Sequence, residues 1–117
     1  MPKNDLEERS MAFALEVVAL VERLPKGRSG DAVARQLIRS GTSIGANYRE
    51  ANCAESREDF VHKIGIARKE AAETGFWLEL IAESPHLQAQ GTEVLLNEVR
   101  ELLAILTTIG RNANLNR

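Results

Sequence analysis

Four arginines are the residues of this chain best suited to engaging a charged partner. At the helical advance of about 100° per residue, Arg28, Arg35, Arg39 and Arg49 fall within about 80° of one another. Each guanidinium carries a fork of donors that fits a phosphate bidentately, so such a row could track a nucleic acid backbone without reading bases. Glu50 shares the sector, and aromatic residues are only 4% of the chain, which argues against a base-stacking platform. The competing reading is a solvated or salt-bridged helix face.

Catalytic constellations are weaker. A di-metal carboxylate site in a helical bundle needs Glu-x-x-His pairs that point inward. Asp59 with His62 and Glu83 with His86 have the spacing. His62, however, lies about 160° from its neighbouring apolar stripe, and Glu83 to His86 spans Ser84 and Pro85 at a helix end. A nucleophile would need a base and an orienting third group, and with two histidines nothing assembles that chemistry around Cys53. Cys53 reads as a small packing residue. Glutamates 70, 73, 79 and 83 read as a solvated face rather than an acid–base pair, and no phosphate loop, zinc spacing or dinucleotide fingerprint is present. The expectation is no enzyme activity, no catalytic residue, no metal and no cofactor.

The elements that must position the arginines follow from punctuation and period. Asn4 as N-cap with Glu7 three residues on opens a first helix, whose stripe is Leu6, Phe13, Val17, Leu20 and Leu24; Pro25, Lys26 and Gly27 stop it. A second helix begins near Ser29, with Val33, Leu37, Gly41, Ile44, Tyr48 and Ala51 on its core face and the arginines opposite. Gly41 and Gly45 inside it call for a reason, since glycine costs up to about 1 kcal/mol against alanine in a helix. Close approach of a neighbouring helix is the simplest.

Ser56 and Asp59 form a capping box for a third helix, with Phe60, Ile64, Ala67, Ala71, Leu78 and Ala82 as its core stripe. Beyond Gly91 a fourth helix carries Leu95, Val99, Leu102, Leu106 and Ile109 at seam-like spacings of four and three. Nothing alternates with a strand period. The fold class is all-α: an up-and-down antiparallel four-helix bundle, one domain over 1–117, with helices of about 20 residues.

Composition agrees. The 117 residues are 44% hydrophobic, enough for one continuous core. Uncharged stretches reach about half of what a membrane span needs, and one cysteine with no signal peptide points to a reducing cytoplasm. The net charge of −2 hides a segregation: Arg23 to Lys69 holds ten basic and five acidic residues, whereas Glu70 to Glu101 holds seven glutamates and Arg100. The third helix also has a second apolar line, Ile66 and Trp77 flanked by Phe76 and Leu80. Several large apolar groups off the core stripe of so small a domain mark a protein interface or a widened core; on the interface reading Ile66, Trp77 and Leu80 are candidate oligomer-interface residues.

The run Gln36, Leu37, Ile38, Arg39, Ser40 leading into Ser43, Ile44, Gly45, Ala46, Asn47 and Glu50, then Ser56, Arg57, Asp59, Phe60, Ile64, Ile66 and Ala67, resembles the four-helix bundle proteins encoded in intervening sequences of bacterial 23S ribosomal RNA genes, also called the S23 ribosomal protein family. The resemblance is concentrated between about Gln36 and Leu80. It implies an up-and-down bundle and assembly as ring-like homopentamers. It also implies kinship with the accessory protein of diversity-generating retroelements, which associates with reverse transcriptase and nucleic acid through a basic surface. The matching motif positions are Gln36, Arg39, Ser43, Asn47, Glu50, Arg57 and Phe60, and the family supplies no catalytic residue. Two functions emerge as expectations. One is backbone contact with RNA or DNA through the arginine row; the other is a protein-interaction scaffold in which Arg39, Asn47 and Glu50 form polar networks.

Overall fold

The computed structural model describes residues 5–115, and the expected Asn4 cap lies outside them. Four helices follow in order: α1 (Asp5–Val21), α2 (Arg28–Asn52), α3 (Arg57–Glu83) and α4 (Thr92–Leu115). No strand occurs among the described residues. The helices number 17, 25, 27 and 24 residues, so three of them exceed the expected length and the bundle extends 47 Å along its axis.

The starts of α2, α3 and α4 each have a local cause. Gly27, at φ 142°, turns the chain from Pro25 and Lys26 into α2, a conformation that side chains with a Cβ rarely adopt. Ser56 Oγ accepts from the Asp59 amide at 3.0 Å and caps α3 as its sequence foretells. Gly91, at φ 95°, makes the turn into α4.

Each helix packs on its neighbour in sequence and α1 returns to α4, and all four contribute side chains to one hydrophobic core. The arrangement is the up-and-down four-helix bundle. Phe13, Val17, Leu20, Leu37, Ile44, Ile64, Leu78, Leu102 and Leu106 fill its axis, and burying each such side chain stabilises by about 1.5 to 3 kcal/mol. The α2 glycines have the expected role. A Cβ on Gly41 would come within 3.0 Å of Val17, and one on Gly45 within 2.9 Å of Ser10 Oγ, so α1 and α2 sit backbone-close.

Three expectations are corrected. In α3 the buried residue near the C-terminus is Ile81, with Ala82 half-buried, and Thr74 fills the gap between Ala71 and Leu78. Phe60 and Ile109 are half-buried and lean on the core from its edge. Cys53 is not a packing residue: α2 ends at Asn52, and the exposed Cys53 occupies its C-cap, where no helix covers it.

Candidate functional site

The four arginines do not share one environment. Arg28 and Arg35 are exposed on the outward side of α2 and have no ion pair among the described residues. Arg39 turns into the α2/α3 seam instead. Its Nη1 donates to Glu70 Oε2 at 3.3 Å, its Nη2 donates to Glu73, and Nε and Nη2 each donate to Gln36 Oε1 at 3.2 Å. Arg49 turns the other way, towards Glu7 of α1 at 3.8 Å. The expected continuous basic stripe is therefore divided: its two flanking members lie where neighbouring helices offer carboxylates. Partner choice depends on the rotation of α1 and α3 about their axes, which the α2 sequence does not contain.

The Arg39 cluster continues through α3. Glu73 accepts from Trp77 Nε1 at 2.9 Å, so Gln36, Arg39, Glu73 and Trp77 form one connected row along the seam. Trp77 is half-buried against the core, not free on the surface. Ile66 is also half-buried, and of the three expected interface residues only Leu80 is exposed, at 39%. Phe76, 57% exposed, packs edge-on against Trp77 with ring centroids 5.0 Å apart.

The other resemblance positions serve several places: Ser43 and Asn47 bond within α2, Glu50 spans the α2/α3 seam, and Arg57 reaches α4. Ser43 Oγ donates to the Arg39 carbonyl at 2.6 Å, and Asn47 Nδ2 donates to the Ser43 carbonyl at 2.9 Å. Glu50 accepts from Lys63 Nζ at 2.9 Å; that hydrogen bond, with the attraction of the same carboxylate, holds the Lys63 ammonium above its usual pKa. Arg57 donates to the Ala113 carbonyl at 3.3 Å and ties α3 to the end of α4. Glutamates 70, 73 and 79 are consequently not a plain solvated face, Glu79 accepting from Arg100 at 3.2 Å.

The α1/α4 seam is the most lightly packed and is bridged by Arg9. Its Nε and Nη2 donate to the two oxygens of Glu98 at 2.6 and 2.8 Å, and Nη2 also reaches Glu101 at 3.1 Å. These bonds, that to Glu98 first, raise the Arg9 pKa above its ordinary value. A groove of about 620 Å³ runs beside them, lined in part by Phe13, Val94 and Leu95.

For metal chemistry, His62 and His86 are both exposed, and no three His, Cys, Asp or Glu side chains among the described residues are grouped to hold an ion. No helix among them is long and apolar enough to cross a membrane. One feature that sequence reasoning missed is a second apolar side of α1: Met11, Leu15 and Val18 are 44, 62 and 45% exposed, and Ile38 of α2 is 38% exposed. The signal was present as spacings of four and three, masked by the core stripe of the same helix.

Residues 3–108 match the family model of the 23S rRNA-intervening sequence protein. Among solved structures, the chain is similar to a protein of unknown function from the S23 ribosomal protein family of Bacteroides thetaiotaomicron. The two share 39% identity with a TM-score of 0.80, over 89% of this chain and 96% of that one. No curated protein matches the chain.

Proposed function

The chain belongs to the 23S rRNA-intervening sequence protein family, and from that premise we propose that it is a non-catalytic, cytoplasmic bundle that works by assembling with copies of itself. The observation that carries this reading is the exposed apolar surface. Phe76 and Leu80 stand one turn apart on the outward side of α3, and Met11, Leu15 and Val18 line the outward side of α1. A monomer of this size gains nothing from leaving such contiguous groups in water, whereas a subunit contact buries them. The α3 contact centres on Leu80 and Phe76, with half-buried Trp77 packed edge-on against Phe76, and the pentamer implied by the family resemblance is the expected state.

Light scattering tests it. The mass should exceed the 12.9 kDa of one chain, and Leu80→Glu should lower it without loss of the helical circular dichroism. A parent protein that stays at the mass of one chain at about 100 μM, a concentration at which even weak contacts of μM affinity are populated, overturns the reading.

Arg28 and Arg35 support a second reading. They are exposed and unpaired among the described residues, and a phosphate backbone is the polyanion that suits two such guanidiniums. Contact with RNA or DNA is then a property of this side of α2 rather than of the whole arginine row.

A further inference from the structure

The outward side of α1 has an immediate neighbour in α2, and together they form a shallow apolar trough of about 390 Å³. Small Ala14, Gly45 and Ala46 lie between the larger Met11, Leu15 and Val18, with Thr42 at the α2 edge. The trough exists because Gly45 lets the two helices close to a distance at which a Cβ would strike Ser10. On another side of the molecule α3 offers the converse shape, a ridge of Phe76 and Leu80 at 57 and 39% exposure.

We infer that the α1/α2 trough receives the Phe76 and Leu80 ridge of a second copy of this chain, so that subunits join head to tail. The inference rests on the assembly reading above and deepens it by naming the two surfaces. Ridge and trough lie on different helices, so a contact pairing like with like would leave one of the two apolar surfaces bare. Charge agrees. From Glu70 to Glu83 α3 carries four glutamates and no lysine or arginine, whereas from Arg28 to Arg49 α2 carries four arginines and one acid, Asp31. Inside one chain only Arg39 joins these two sets, leaving exposed Arg35 and exposed Glu83 without ion pairs among the described residues.

Register agrees as well. Glu83 follows Phe76 by seven residues and Arg35 precedes Thr42 by seven, about 10 Å and two turns in each helix. Laying α3 of one copy antiparallel to α2 of the next puts Phe76 over the trough beside Thr42 and, with the same placement, Glu83 opposite Arg35. Such a heterologous contact leaves each copy one ridge and one trough, and it closes into a ring or extends according to the rotation between copies.

Two single variants test the inference on the full chain. Leu15→Glu disables the trough and Phe76→Glu disables the ridge, both at positions more than half exposed, so each variant should keep its helical circular dichroism. Each alone should scatter light at the mass of one chain. Mixed in equal amounts they should form a one-to-one dimer, because Leu15→Glu retains the ridge and Phe76→Glu retains the trough. Arg35→Glu should weaken assembly, and adding Glu83→Arg to the same chain should restore it. If Phe76→Glu lowers the mass and Leu15→Glu does not, α3 meets some other surface: assembly stands and the trough inference falls. A mixture that stays monomeric overturns the head-to-tail arrangement. A parent protein already monomeric overturns the assembly reading and this inference together.

Discussion

Thr74 of α3 lies with its Oγ1 2.9 Å from Ser40 Oγ of α2, and both residues are fully buried. The same oxygen is 2.7 Å from the Glu70 carbonyl. A threonine has one proton to give, and with the carbonyl the nearer acceptor, the proton between the two hydroxyls comes from Ser40. The pair fixes the rotation of α3 against α2, and that rotation aims Glu70 and Glu73 at Arg39.

Thr74→Val keeps the shape and removes the acceptor. It should lower stability by about 1 to 3 kcal/mol, because the Ser40 hydroxyl is left buried without its partner. Adding Ser40→Ala should recover part of that loss, so the double variant costs less than the two singles summed. Urea denaturation of the four proteins measures both numbers.

Gly45 and Gly65 make an internal contrast. A Cβ at Gly45 meets Ser10 at 2.9 Å, whereas one at Gly65 meets nothing within 4 Å. Gly45→Ala should therefore destabilise by about 1 to 3 kcal/mol through overpacking, even though alanine is the better helix former. Gly65→Ala should stabilise by up to about 1 kcal/mol. Thermal melts that move both variants in the same direction would contradict the close approach of α1 to α2.

The fourth-helix seam gives a burial test. Leu102 and Leu106 are 0 and 1% exposed, so truncating either to alanine should cost roughly 2 to 5 kcal/mol through lost transfer energy and a residual cavity. Leu15, at 62% exposure, is the control, and Leu15→Ala should stay within about 0.5 kcal/mol in the dissociated chain.

These residues also show what the sequence makes legible. Leu37, Ile44, Leu102 and Leu106 belong to stripes that repeat at threes and fours, a local pattern that is enough to place them in the core, and the short connectors between the helices then give the up-and-down bundle. Arg39 shows the limit. Its helical-wheel position is the same whether it meets water, phosphate or Glu70, and only the rotation of α3 decides. Ala82 and Ile81 differ by one position, and the α2/α3 packing that selects Ile81 is again nonlocal. Met11, Leu15 and Val18 were hidden for another reason: α1 is apolar on two sides, and one stripe suffices to explain a helix. Cys53 suits packing by its size, but α2 ends one residue before it.

The arginines separate assembly from nucleic acid binding, because the structure divides them into two pairs. Arg39 and Arg49 already hold carboxylates of α3 and α1, so replacing both with glutamine should leave any nucleic acid affinity nearly unchanged. It should alter stability by no more than about 1 kcal/mol per exposed ion pair. Arg28 and Arg35 have no such partners among the described residues. If this side of α2 meets a phosphate backbone, Arg28→Gln with Arg35→Gln should weaken binding to many sequences alike and reduce the salt slope by up to about 2. Arg28→Gln alone lies away from the contact drawn between Arg35 and Glu83, so it should reduce that slope by about 1 with the oligomer mass unchanged. Titrations of structured RNA, single strands and duplex DNA at several salt concentrations read these slopes directly. No binding by the parent protein at about 50 mM salt, where phosphate contacts are strong, removes the nucleic acid reading and leaves the assembly proposal to its own test by light scattering.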